Sequence, residues 1–298
     1  RGLIGYRSDT HPSVLGLKRI PYLWIGSLLM FGGLAILPFA LLVLGDNQPG
    51  QIWIGRIGAA LAFLLIGAGI QITQTAGMAL ASDLANDEKR PRVVALLYTM
   101  LLLGLIVSSA VYGLLLQNFS PLRLIQVIQG SAVVVLVFNL MALWKQEARQ
   151  QARGQREEGG FGRHWRELMA EPQMRRFLWA TGLGSCAFGM QDIVLEPYGA
   201  QVLGLGVGAT SGLTAVAALG SLLAFGLSAR VMNQRIGACG LGGMGAVIGL
   251  VAFALVIFSA PLQSVALFKT GVLLVGFGSG LFSVGMLVNA MTYGDGRL

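Results

Sequence analysis

The sequence predicts an all-α polytopic membrane protein, on the strength of its composition and its hydropathy pattern. Hydrophobic residues make up 55% of the 298 positions and charged residues only 11%, with a mean hydropathy of +0.71. Soluble proteins carry about 25% charged residues. Apolar runs of about 20 residues recur along the chain, and that length crosses the hydrocarbon core as one helix. We therefore expect a bundle of membrane-spanning helices.

Eight such apolar runs are present, and each predicts one span. In chain order they cover 22–44, 52–81, 93–116, 122–144, 177–203, 207–229, 237–260 and 264–291.

The basic residues indicate the orientation of these spans. One set of alternating loops, together with both ends of the chain, holds 18 of the 21 Lys and Arg residues. Basic residues are retained on the cytoplasmic side, so we expect both chain ends there. The net charge of +8 is then a topology signal. It attracts anionic headgroups of the lipid bilayer and does not predict a nucleic-acid partner.

The longest polar segment, 145–176, divides the spans into two blocks of four. Many transporters consist of two similar halves joined by such a linker. We expect 1–144 to form an N-terminal half and 177–298 a C-terminal half, each with four spans. If each complete half has six spans, those in this chain are spans three to ten of twelve.

The second part of this linker, GRHWRELMAEPQMRR, predicts a short amphipathic helix. Its residues Trp165, Leu168 and Met169 share one side, which favours a position on the inner membrane surface.

The polar segment before the first span is similar to a cytoplasmic turn of the major facilitator superfamily. That turn has a Gly, an Asp four residues later, then a second Gly and basic residues. Gly5 and Asp9 match it, whereas Gly16, Lys18 and Arg19 match only after an insertion, because six residues separate Asp9 from Gly16. A simple basic cytoplasmic loop is the alternative interpretation.

Three longer segments carry a more specific resemblance, to the PucC/LhaA family of photosynthetic bacteria, a branch of the major facilitator superfamily. They read GYRSDTHPSVLGLKRIPYLWIGSLLMFGGLAILPFALLVL, QTAGMALASDLANDEKRPRVVALLYTM and GMQDIVLEPYGAQVLG. The likeness covers nearly the whole chain and leans toward LhaA. It implies a two-half helical bundle of the major facilitator type.

The resemblance also implies a function, which composition and periodicity do not reach. The family is implicated in assembling the LH1/reaction-centre or LH2 complexes, as a chaperone of antenna polypeptides or a supplier of bacteriochlorophyll. We therefore expect antenna polypeptides, the reaction-centre complex and pigment-synthesis enzymes as partners. Bacteriochlorophyll and carotenoid are the expected cofactors. The expected location is the bacterial inner membrane with its intracytoplasmic, chromatophore-forming folds.

Polar side chains at span depth are the candidate ligands for such a pigment. The two histidines, His11 and His164, lie in predicted loops. The magnesium of a pigment, as a hard cation, also accepts amide and carboxylate oxygens. The amide candidates are Gln71, Gln74, Asn139, Gln191 and Asn289. The alternative role for each is a hydrogen bond between helices.

The segment QDIVLEP places two carboxylates, Asp192 and Glu196, on one face of the fifth predicted span. Such a pair is costly against lipid. Pro197 removes a backbone N–H and is expected to break the helix, freeing a carbonyl near residue 193. We predict that Gln191, Asp192 and Glu196 line a polar pocket that receives a pigment head or a client helix. The alternative is a hydrated Glu196 at the outer interface, with Asp192 hydrogen-bonded to Gln191.

The sequence does not predict an enzyme, because it has neither a Ser-His-Asp arrangement nor a cluster of metal ligands. The glycines of GLGGMG (Gly240, Gly242 and Gly245) fit a dinucleotide motif in spacing alone, since no strand precedes them. Close helix packing is the better interpretation, as it is for Gly276 and Gly280.

Two classes of function remain open. The first is an assembly factor that binds antenna helices or pigment. The second is a secondary transporter of a small or amphipathic solute, which would couple to protons through Asp192 or Glu196. The first is favoured because no Lys or Arg lies in the core of a predicted span to bind an anionic substrate.

Overall fold

The computed structural model describes residues 17, 19–45, 52–86, 90–144, 161–231 and 237–294. These ranges contain nine α-helices and no β-strand. The helices are α1 (Ile20–Gly45), α2 (Ile52–Leu84), α3 (Arg90–Leu115), α4 (Pro121–Leu143), α5 (Phe161–Ala170), α6 (Pro172–Gln201), α7 (Val207–Val231), α8 (Ala238–Ser259) and α9 (Val265–Gly294). The predicted all-α class is confirmed.

Seven of the described helices, α1–α4 and α7–α9, are long and apolar enough to cross a membrane. The prediction of eight spans is therefore confirmed for seven of them. The remaining helix, α6, has 30 residues, which at 1.5 Å per residue gives a length of about 45 Å. It is not among the seven because polar residues, including Gln191, Asp192 and Glu196, lower its hydropathy. It packs against α7 and α9.

The second part of the predicted linker contains α5 and the start of α6. Helix α5 is amphipathic, with an ion pair of 3.2 Å between Arg163 and Glu167 on its polar side. Helix α6 starts at Pro172, five residues before the predicted position of 177, because a proline is favoured in the first helical turn. Residues 145–160 lie outside the described ranges, as do Gly5, Asp9, Gly16 and Lys18 of the predicted turn and His11.

The chain divides into two compact units, each described by itself. Unit 1 comprises Arg1–Leu97 and Ser120–Glu167. In it α1 packs closely on α2, since a Cβ atom at Gly33 would lie 2.7 Å from the carbonyl oxygen of Ala62. At the adjoining ends of these helices, the Arg19 guanidinium Nε donates to Asp83 Oδ2 at 3.0 Å. The predicted turn residue Arg19 is thus buried in an ion pair.

Unit 2 comprises Tyr98–Phe119 and Leu168–Leu298. Helix α9 packs against α6, α7 and α8, and aromatic side chains such as Phe188, Phe268 and Phe282 fill the core between them. Glycines bring the helices close together. A Cβ at Gly245 would lie 2.6 Å from the Gly278 carbonyl oxygen, and one at Gly280 would lie 2.9 Å from Ser221 Cα. The packing interpretation of these glycines is confirmed.

The units differ from the predicted halves in one respect. The sequence places all of 93–116 in the N-terminal half, whereas residues 98–119, most of α3 and the turn after it, belong to unit 2. The physical reason is a local attachment of α3 to α7 through Ser109, described below. The twofold relation between halves stays a prediction.

Candidate functional site

Helix α6 carries the two carboxylates and runs without a break through Pro197 to Gln201. The predicted helix break is therefore wrong. Pro197 lies near the end of α6, where it removes one backbone hydrogen bond of the helix. The next residue, Tyr198, contacts other helices through its side chain. The Tyr198 hydroxyl donates to the Val256 carbonyl oxygen at 3.2 Å, and its ring lies 5.7 Å from that of Phe268.

Gln191, Asp192 and Glu196 lie around one small cavity of about 170 Å³, which we call the carboxylate pocket. The other lining residues come from α3, α6, α7 and α9 and belong to unit 2 like the carboxylates. They are Leu105, Leu195, Leu213, Thr214, Ala217 and Val272. Three of these, Leu195, Leu213 and Val272, are also part of the hydrophobic core. The pocket thus has a rigid apolar floor and a polar wall supplied by α6.

The polar wall contains one strong contact between helices. The Thr214 hydroxyl of α7 donates to Glu196 Oε1 at 2.8 Å. The amide oxygen of Gln191 is fully buried and has no hydrogen-bond partner. Asp192 is exposed, so the pocket is open on its side. The site therefore has a surplus of hydrogen-bond acceptors.

Ser109 fastens α3 to α7 beside this pocket. Its hydroxyl donates to the carbonyl oxygen of Ser211 and accepts from the N–H of Ala215 at 3.2 Å. Those two backbone groups would bond to each other in a regular α-helix. The Ser109 side chain thus bonds to two backbone groups of α7 that are partners in a regular helix, and it is 5% exposed.

A second, larger cavity of about 840 Å³, which we call the glycine cavity, lies further along α3 and α7. Small and apolar residues line most of it: Ser109, Ala110, Gly113, Leu114, Leu116, Gln117, Phe119, Gly206, Val207, Gly208, Ala209 and Gly212. The two helices approach closely here, since a Cβ at Gly208 would lie 2.9 Å from the carbonyl oxygen of Gly113. At Gly212, in contrast, a Cβ would meet no atom within 4 Å.

The other predicted ligands lie elsewhere. Pro197 is exposed and is not a lining residue of either cavity. Gln71 and Gln74 are on α2 and Asn139 is on α4, all in unit 1. Asn289 is on α9, and its buried amide nitrogen has no hydrogen-bond partner. It lies about 25 Å along that helix from Val272, which places it outside the carboxylate pocket.

Sequence reasoning missed Thr214 and Ser109. Hydroxyl residues inside spans commonly bond to their own helix backbone, as Ser228 does to Ala224. The position of such a hydroxyl residue in the sequence therefore does not show whether it bonds to its own helix or to another helix. A usable signal for Thr214 would have been its location in a span next to a carboxylate-bearing helix.

Comparison with known proteins connects the chain to one family. A family model described as PUCC protein matches residues 1–295. Protein PucC of Rhodovulum sulfidophilum is 49% identical over 299 residues, covering 98% of this chain and 66% of the relative. Protein PucC of Rhodobacter capsulatus is 47% identical, covering 98% of this chain and 65% of the relative. The chain thus spans slightly less than two-thirds of the length of these relatives.

A solved structure supports the fold. A bacterial homologue of the iron transporter ferroportin, crystallised in an outward-facing state, aligns with a TM-score of 0.58 and 19% identity. The alignment covers 96% of this chain and 70% of that one. At this identity the likeness concerns the fold alone, and it confirms the predicted major-facilitator-like helical bundle.

Proposed function

Because the chain belongs to the PUCC protein family, we propose that it is an assembly factor for the light-harvesting complexes of photosynthetic bacteria. It binds antenna polypeptides of the LH1/reaction-centre or LH2 complex, or delivers bacteriochlorophyll to them, in the bacterial inner membrane. The observation that carries this proposal is the family match over residues 1–295, together with relatives named Protein PucC.

The two cavities differ in whether their volume suits a small molecule. Small-molecule sites have volumes of about 300–1,000 Å³. The glycine cavity, at about 840 Å³, is within that range, whereas the carboxylate pocket, at about 170 Å³, is below it. We therefore assign a pigment to the glycine cavity. Four of its twelve lining residues are glycines, which allow a ring to approach the backbone closely. Gln117 provides the one amide side chain among its lining residues as an oxygen ligand for magnesium.

Deletion of the gene tests the assembly function. We expect a deletion strain to contain less antenna complex while pigment synthesis continues, and the wild-type gene to restore the complexes. Absorption spectra of isolated membranes measure the complexes, and extraction into organic solvent measures total pigment. Normal antenna absorption in the deletion strain would reject the proposal. A parallel fall in total pigment would indicate a role in pigment synthesis instead.

A secondary transporter is the second candidate function, because the fold resembles that of a transporter and Asp192 and Glu196 lie in one pocket. Replacing Asp192→Asn and Glu196→Gln together keeps the shapes and removes both charges. If the double variant restores antenna complexes in the deletion strain, proton coupling through these groups is not required. If restoration fails although the variant reaches the membrane at wild-type abundance, the pocket needs a charged group, either for proton coupling or as a ligand of a pigment magnesium.

A further inference from the structure

Helix α5 has an apolar face that the fold leaves exposed. Trp165, Leu168 and Met169 fall within an arc of about 100° around the helix. Trp165 is 44% exposed and Leu168 is 43% exposed, and α5 shows no extensive packing against any other described helix. The opposite side is charged, with Arg163 and Glu167 paired at 3.2 Å. The helix therefore has one side suited to water and one suited to an apolar medium.

The position of α5 in the chain places it at the level of the lipid headgroups. Glu171 alone separates it from α6, the predicted fifth span. In the first turns of α6, Arg175 and Arg176 are exposed, and Trp179 follows at 62% exposed. Basic residues and tryptophan are typical of the level at which a span meets the headgroups. Residues 168–170 belong to the same unit as α6, so the end of α5 lies at this level.

The charges beside the apolar face complement an anionic surface. Arg166 is exposed and borders that face, about 60° around the helix from Met169. Arg175 and Arg176 add two further exposed guanidinium groups close by in the chain. Residues 161–176 contain four arginines and two glutamates, which gives a net charge of +2. Guanidinium groups bind phosphate oxygens in pairs, and the cytoplasmic leaflet expected on this side of the membrane is negatively charged.

We propose that α5 binds anionic phospholipid at the membrane surface. Trp165 and Leu168 enter the boundary between headgroups and acyl chains, and Arg166, Arg175 and Arg176 bind the phosphate groups. A lipid is favoured over a protein as the partner because α5 is strongly amphipathic and has low overall hydrophobicity, which is typical of helices that lie in the plane of the interface. The proposal goes beyond antenna assembly, since it concerns how the start of α6 is held at the membrane.

Fluorescence quenching in vesicles tests the proposal. In a variant without the exposed Cys186 and Cys239, Leu168→Cys and Ala170→Cys are each labelled with the same fluorophore. Ala170 is the matched control, because it is exposed and lies about 160° around the helix from Leu168. The protein is reconstituted in vesicles of phosphatidylcholine with brominated acyl chains, either alone or mixed with brominated phosphatidylglycerol. In the mixed vesicles we expect quenching at position 168 to exceed that at 170 by about twofold or more.

The same label measures the preference for anionic lipid. Quenching at position 168 should fall when phosphatidylglycerol is left out, because the arginines then lose their anionic partners. The combined replacements Arg166→Gln, Arg175→Gln and Arg176→Gln should remove this difference between the two kinds of vesicle. Arg163→Gln is the matched control, because Arg163 lies on the polar side of α5 and pairs with Glu167; it should keep the difference.

Three results would overturn the proposal. Equal quenching at positions 168 and 170 would show that the apolar face does not enter the bilayer. Weak quenching at both positions would show that protein, not lipid, covers that face. Quenching at 168 that is the same with and without phosphatidylglycerol, while all four arginines are present, would show that anionic headgroups are not recognised. Because the measurement uses reconstituted protein without antenna polypeptides, its outcome is independent of the proposed assembly function.

Discussion

The Thr214 hydroxyl lies 2.8 Å from Glu196 Oε1 and links α7 to the carboxylate-bearing face of α6. Both residues are partly buried, and Leu195 and Leu213 next to them are in the core. The bond therefore fixes one carboxylate at the edge of the core while Asp192, one turn earlier, remains open.

Replacing Thr214→Val removes this bond with little change of shape. Hydrogen bonds to charged groups contribute about 1.5–3 kcal/mol, so we expect a measurable fall in the Tm of the purified protein. Thr270→Val is the matched control, because the exposed Thr270 hydroxyl bonds only within its own helix, to the Ala266 carbonyl oxygen at 2.9 Å. Equal Tm values for the two variants would contradict a stabilising role of the Thr214–Glu196 bond.

The two hydrogen bonds between Ser109 and the backbone of α7 make a second prediction. Ser109→Ala removes both hydrogen bonds that join α3 to α7. We expect a destabilisation of about 1–2 kcal/mol from the loss of these two partly buried hydrogen bonds. Thermal unfolding measures it. The neighbouring variant Ser108→Ala loses only a local bond to Leu105 and should unfold close to the wild-type temperature. A larger fall in Tm for Ser108→Ala than for Ser109→Ala would contradict a stabilising role of the Ser109 bonds.

Filling the glycine cavity should reduce antenna assembly if a pigment binds there. Gly212→Leu places a side chain where a Cβ meets no atom within 4 Å, so the fold accepts it while the cavity loses volume. Gly104→Leu is the matched control, because it has equally open surroundings on α3 and lies outside both cavities. We expect antenna absorption in the complemented deletion strain to fall only for Gly212→Leu. Equal antenna absorption in the strains that carry Gly212→Leu and Gly104→Leu would show that antenna assembly does not need the glycine cavity.

The positive-inside topology can be tested across a single helix. Asn86 precedes α3 and Asn118 follows it, and both are exposed. In a variant without the exposed Cys186 and Cys239, single replacements Asn86→Cys and Asn118→Cys are treated with a membrane-impermeant thiol reagent. In sealed vesicles with the cytoplasmic face inward, we expect labelling of Cys at 118 and protection at 86. Labelling of both from one side would contradict the predicted span.

Much of the helical fold could be predicted from the sequence, because each membrane-spanning helix must by itself be long and apolar enough to cross the bilayer. The seven apolar helices were predicted to within three residues of their observed bounds at each end. Helix α6 was harder to classify, since the residues that suggest a site also lower its hydropathy. Its start at Pro172 was missed because Arg175 and Arg176 were attributed to the linker.

By itself, the sequence determined the class of protein, the family and the presence of two carboxylates on one helix face. The class and the carboxylate pair follow from local properties, namely composition, periodicity and the spacing of residues along one helix. The family follows from the resemblance of three segments. Only the tertiary structure decided which other helices meet that face. Thr214 and Ser109 are 18 and 102 residues from the partners they bond, Glu196 and Ser211. Hydroxyl groups at such separations find a partner only when helices pack, so the carboxylate pocket, its small volume and the neighbouring glycine cavity are properties of the packing.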